Sequence, residues 1–232
     1  PTAGAEAQYT VVPMLLASLL VSFGAILIAV PWGLLLALLE NYFAPPPIRA
    51  LVGRLLELLN GVPSVVFGFW GLVVLVPLIA RLKAPGTSLL AGSVILALMV
   101  LPTVAMTTRS ALQAVPQSYV RSAAALGLSR WTTIRCIILP TARRGIVTGV
   151  VLAFTRAIGE TMAVVMVCGN IVQVPRSVLA PVRTITANIA LEMGYATESH
   201  RSVLFVTGLL LLALVGSAFG VLHWPRRRAS HS

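Results

Sequence analysis

The segment TRAIGETMAVV, Thr155–Val165, sets a guanidinium and a carboxylate four residues apart inside a strongly apolar stretch. Arginine presents a planar fork of N–H donors that matches the oxygens of phosphate or a carboxylate. Glutamate can neutralise that arginine, orient it, or titrate. At the centre of a membrane-spanning helix each charge costs about 2.5–3.5 kcal/mol, so neither Arg156 nor Glu160 is expected to face lipid. On one continuous helix, residues i and i+4 share a face, and both are expected to point into a bundle interior or an aqueous cavity. Two readings follow. The pair is a self-neutralising brace within its helix, although arginine N-terminal to glutamate is the weaker orientation. Alternatively it lines an anion route, with Glu160 orienting Arg156 and keeping it from trapping the anion, since passage needs binding weak enough to release.

The elements that must position this pair are read from hydropathy. Of 232 residues, 58% are hydrophobic and only 10% charged, against about 25% charged in ordinary soluble chains. Mean hydropathy is +0.95. Apolar runs of roughly 20 residues predict an all-α, polytopic helical membrane protein. The runs do not alternate as the strands of a membrane barrel would. A single transmembrane domain over residues 1–232 is expected, with spans at about Val11–Leu39, Gly61–Ala80, Ser88–Met106, Gly145–Ile171 and Val203–Trp224. The fourth span is centred near Ile158, which places both charges within about 3 Å of its midplane at 1.5 Å rise per residue. A basic stop, Arg226–Arg228, follows the fifth.

The net charge of +11 does not call for nucleic acid, because arginines gather in loops held in the cytoplasm. With five spans, eleven basic residues fall on the side of the C-terminus and five on the other. The C-terminus is therefore expected in the cytoplasm and Pro1 outside. No signal peptide is visible, and the start at Pro1 resembles a processed end or an internal fragment. Cys136 and Cys168 have no metal-ligand spacing and no expected disulfide, and read as small apolar fillers. The chain has no Asp, no phosphate-binding G-x-x-x-x-G-K-[ST] loop and no Ser/His/acid set. No catalysis and no cofactor are expected, and any ATP hydrolysis belongs to another polypeptide.

Thr107–Arg144 is too polar to span a membrane. Its core, SYVRSAAALGLSRWTTIRCII, reads as helix, small-residue turn, helix, with Gly127 breaking the first helix and Pro140 ending the second. It could lie on anionic lipid as an amphipathic surface helix or be offered as a knob to a cytoplasmic partner.

Here the chain resembles a family. Ala123, Gly127, Ile137, Leu139 and Pro140 match, at the right spacing, the cytoplasmic loop of ABC importer permeases that reads E-A-A, three residues, G, nine residues, I-x-L-P. Arg121 stands where that loop usually has its acidic residue, and Ser122 replaces the first alanine. Two further stretches, GVPSVVFGFWGLVVLVPL from Gly61 and TRAIGETMAVVMVCGN ending at Asn170, resemble the PstC-type permeases of phosphate-specific importers more than their PstA-type sisters.

The resemblance implies a type I ABC importer permease fold in a bacterial inner membrane, inorganic phosphate as substrate, and Arg156 and Glu160 as translocation residues. It implies a PstA-like homologous permease, two ATP-binding subunits and an extracytoplasmic phosphate-binding protein as partners, besides membrane lipid. The loop of Ala123 would form coupling helices that dock on the ATPase. Such permeases normally have six spans, one before the region of Val11, so a first span is expected to be missing or divided from this chain. Rival readings are a permease for sulfate or molybdate, a secondary transporter or channel using the pair as a proton relay, and a sensory scaffold.

Other candidates are weaker. Ser64, after Pro63, either binds an anion together with freed backbone groups or merely caps a helix. Thr161 is expected to bond a carbonyl of its own helix. His200 and His223 read as interfacial, and Trp70, Trp131 and Trp224 as packing or interface anchors.

Overall fold

The structure, a computed structural model, describes residues 11–223. Helix α1 runs Val11–Phe43, its last turn widened to a π turn at Leu39–Phe43. Helix α2, Pro46–Gly61, opens on a proline in its first turn, where the missing N–H is harmless. Hydropathy leaves this stretch between the first two expected spans, yet Leu51, Leu55 and Leu58 recur at helical spacing. Val62 and Pro63 interrupt the chain, and α3, Ser64–Ala80, departs at 95° to α2. Helix α4, Leu89–Gln113, is capped by the Ser88 hydroxyl, which accepts the Ala91 N–H at 3.2 Å. The remaining helices are α5 (Gln117–Ala125), α6 (Arg130–Ile158), α7 (Met162–Val167), α8 (Ile185–Glu192) and α9 (Glu198–His223). Among the described residues the only β feature is an isolated bridge between Gly169 and Val182. Over the described residues the fold is all-α, with four helices long and apolar enough to cross a membrane, or five if the bent α2–α3 pair is one span. The basic stop and Trp224 lie outside the described residues.

Helix α4 is the hub. In its most apolar stretch 67% of residues are buried inside the chain, against 28% for α1 and 22% for α6. Lipid tails give apolar helices no drive to associate, so close backbone approach through small residues must do it. A Cβ at Gly33 would meet Val104 at 2.7 Å, and one at Gly92 would meet Cys168 Sγ at 2.4 Å. On the α6 side, a Cβ at Gly149 would lie 2.1 Å from Thr107 Oγ1. Gly149→Val is therefore expected to cost about 1–3 kcal/mol by overpacking, seen as a lowered thermal unfolding midpoint in detergent. Gly216→Ala, at a position with nothing within 4 Å, should leave the midpoint unchanged or raise it slightly.

Three expectations are corrected. Pro140 does not end a helix: it lies inside α6, just after a π turn at Ile134–Ile138. That wider turn, in which the Leu139 N–H reaches Ile134 O, absorbs the bond and space that a proline ring removes. The fourth helix does not run unbroken from Gly145 to Ile171: it starts at Arg130 and stops at Ile158. Cys136 is exposed rather than a filler, whereas Cys168 is buried as expected.

Two ion pairs went unseen in the sequence. Glu40, only 2% exposed at the end of α1, binds Arg109 of α4, and Gly53 of α2 packs against both side chains. Arg183 bonds Glu192 Oε1 (2.9 Å), Asn188 Oδ1 (3.2 Å) and the carbonyl of Asn170 (2.9 Å). This ties α8 to the turn where Gly169 (φ 90°) and Asn170 (φ 55°) adopt left-handed backbone.

Candidate anion site at the break of α6

Gly159, Glu160 and Thr161 interrupt the apolar run between α6 and α7. The break has a local cause. The Glu160 carboxylate reaches forward and accepts the Ala163 N–H at 3.2 Å, capping α7. The carbonyl of Glu160, released from helical bonding, accepts the Thr186 hydroxyl at 2.7 Å. Irregular backbone at membrane depth needs such internal partners. Around Glu160 lie Ser18 and Ser22 of α1 and Thr184 and Thr186 at the start of α8. Ser18 also accepts the Ile185 N–H at 2.9 Å, so α1, α8 and the break are laced together by hydroxyls.

Arg156 is in the last turn of α6 and is exposed on the surface of the chain. The shared-face expectation fails because the helix ends between the two residues: no ion pair joins Arg156 to Glu160 among the described residues. Instead, one guanidinium nitrogen, Nη1, donates to Asn60 Oδ1 (2.8 Å) and to Thr103 Oγ1 (3.1 Å). Asn60 comes from the end of α2, Thr103 from α4. Neither was singled out in the sequence; they lie 96 and 53 residues from Arg156. Beside Asn60, the bend residues Gly61, Val62 and Pro63 line a cleft of about 620 Å³ together with Arg54, Glu57 and Leu58.

The other sequence candidates separate from this centre. Ser64 is half-buried as the first residue of α3, with Pro63 in the cap position and no side-chain cap bond. No hydrogen bond links it to Arg156. Thr161 Oγ1 donates to Gly159 O at 3.4 Å, within the break and not to a helix. His200 approaches Glu192 at 3.8 Å.

The loop residues form a different surface. Helix α5 ends at Ala125, Gly127 takes φ 70°, and Ser129 caps α6 by accepting the Thr132 N–H at 3.2 Å. Ala123 is buried at 1% exposure, Ile137 and Leu139 are half-buried, and Pro140 is exposed. Leu126 and Trp131 project outward at 77% and 58% exposure, an apolar corner too exposed for packing within this chain.

The capping geometry gives a test. Glu160→Gln keeps an acceptor for the Ala163 N–H and should leave the unfolding midpoint close to wild type. Glu160→Ala removes it and is expected to cost about 1 kcal/mol, read in the same thermal scan.

Comparison with known proteins agrees with this architecture. Residues 29–229 match the family described as binding-protein-dependent transport system inner membrane component. The probable ABC transporter permease protein YqgH of Bacillus subtilis (strain 168) is 40% identical over 213 residues, covering 90% of this chain and 69% of that protein. The phosphate transport system permease protein PstC of Xylella fastidiosa (strain 9a5c) is 36% identical over 227 residues, covering 89% and 70%. This chain thus spans about two thirds of the length of these relatives, and the resemblance to PstC-type permeases extends along most of it. An inward-facing structure of the MetNI methionine ABC transporter shares the fold, with TM-score 0.69, 19% identity and 94% of each chain covered. The chain belongs to the binding-protein-dependent transport system inner membrane component family.

Proposed function

We propose that this chain is a membrane-spanning subunit of an ATP-driven importer of inorganic phosphate, and that Arg156 lies on the route of the anion. One observation carries the site. Arg156 protrudes from an apolar bundle, held by two neutral acceptors and, among the described residues, paired with no carboxylate. A full positive charge on that surface must meet water or another protein rather than lipid. A guanidinium so placed suits a tetrahedral oxyanion. Glu160 acts at one remove: it shapes the break that ends α6 directly after Arg156. Ser64, at the start of α3, is retained as a lesser candidate on the same route.

The assembly would hold a PstA-like homologous permease across the membrane, two ATP-binding subunits and an extracytoplasmic phosphate-binding protein. The C-terminus would face the cytoplasm, as the distribution of arginines suggests. The corner built by Ala123, Gly127, Ile137, Leu139 and Pro140 would dock on an ATP-binding subunit. Closure of the ATPase pair would then reach the anion site through α6, which joins that corner to Arg156 without a break.

The complex reconstituted with its binding protein should take up labelled phosphate on addition of ATP, and excess unlabelled sulfate or molybdate should not compete. Uptake of sulfate or molybdate in place of phosphate would overturn the substrate. Uptake without any ATPase subunit would overturn the class.

A further inference from the structure

The bonds around Arg156 leave a particular set of groups unspent. Nη1 has two hydrogens, and both are taken by Asn60 Oδ1 and Thr103 Oγ1. The Nε and Nη2 edge makes no hydrogen bond among the described residues, and it is the edge that can grip two oxygens of one anion. Because Asn60 turns its oxygen to Arg156, its amide nitrogen keeps two free N–H donors. Thr103 accepts from Arg156, so its hydroxyl hydrogen is also free to donate. The three side chains come from three helices, α2, α4 and α6, and together they leave a row of N–H and O–H donors open.

We propose that Asn60 and Thr103 complete a three-residue oxyanion site with Arg156: they orient the guanidinium through Nη1 and donate to the anion alongside its open edge. This rests on the proposed pathway role of Arg156. The ligand chemistry is a tetrahedral oxyanion with all its oxygens accepting. The open groups are mostly donors, which the oxygens of phosphate and of sulfate accept alike. The three residues therefore do not by themselves distinguish phosphate from sulfate, and selection between them belongs to another component.

Substitutions at Asn60 separate this role from a structural one. Aspartate keeps the size of asparagine and accepts from Arg156 more strongly, so a side chain needed only to brace the arginine would tolerate it. An anion ligand would not, because aspartate offers no donor and repels the anion. In the reconstituted complex, with co-purification of the ATP-binding subunit as the assembly control, Asn60→Ala is expected to raise the KM for phosphate about tenfold. One hydrogen bond to a charged group is worth about that much. Asn60→Asp should raise it further, to about a hundredfold. Thr103→Val should match Asn60→Ala, and Thr103→Ser should restore wild-type KM. An Asn60→Asp complex that transports like wild type, or a Thr103→Val complex with unchanged KM, would overturn the proposal while leaving the role of Arg156 intact. Unimpaired uptake in Arg156→Gln would instead remove the reading on which it rests.

Discussion

Replacing Arg156 with glutamine is expected to reduce ATP-dependent phosphate uptake by at least about a hundredfold while the complex still assembles. Glutamine is neutral and two bonds shorter, but it stays polar at an exposed position, so the packing of α2, α4 and α6 is expected to be kept. It loses the charge and the two-pronged edge. Two hydrogen bonds to a charged partner, each worth about 1.5–3 kcal/mol, set the minimum. Arg156→Lys restores the charge but not the fork, and should recover uptake only in part. The measurement is initial uptake rate across phosphate concentrations, with ATPase activity and subunit stoichiometry followed in parallel. Normal uptake in the glutamine variant would make the arginine a structural residue.

The second large effect concerns stability. Glu40 is 2% exposed and bound by Arg109, whose side chain is 35% exposed. Its Oε2 has no hydrogen-bond partner among the described residues, so the arginine is the main compensation for a buried charge. Removing one member of such a pair costs about 3 kcal/mol or more, because the remaining charge is stranded. Arg109→Ala should therefore lower the unfolding midpoint more than any other single change described here. It also empties the space beside Gly53 of α2. Replacing both charges with methionine should recover most of the loss, since a well-packed apolar pair of similar volume is often neutral. A midpoint in Arg109→Ala equal to wild type would show that the pair carries no net stability.

Much of the fold was legible because composition dominates it. Long apolar runs can only be helices in a membrane, and each expected span coincides at least in part with a helix of the structure. The site was legible only in its types. Arg156 and Glu160 stood out because charge in an apolar run is expensive, but their geometry was misjudged. A hydropathy window averages across Gly159 and cannot register a three-residue break with apolar sequence on both sides. The signals were present: a glycine, then a glutamate three residues before Ala163 and able to cap it. Pro140 misled in the opposite sense, since local preference ends a helix there while a preceding π turn lets it pass. Helix α2 was hidden by its arginines and glutamate, which lowered its hydropathy without disturbing its helical period. Asn60 and Thr103 could not be found at all from spacing. A neutral asparagine at a helix end and a threonine within an apolar helix carry no distinctive cost, and only the packing of three helices brings them to the guanidinium.

The most direct test is the structure of the complete complex loaded with phosphate and arrested with a non-hydrolysable ATP analogue. The expected result is phosphate beside Arg156, with oxygens about 2.7–2.9 Å from Nε and Nη2, the usual span of a charge-assisted bond. Phosphate bound within the membrane at another site, with nothing in reach of the guanidinium, would contradict the assignment.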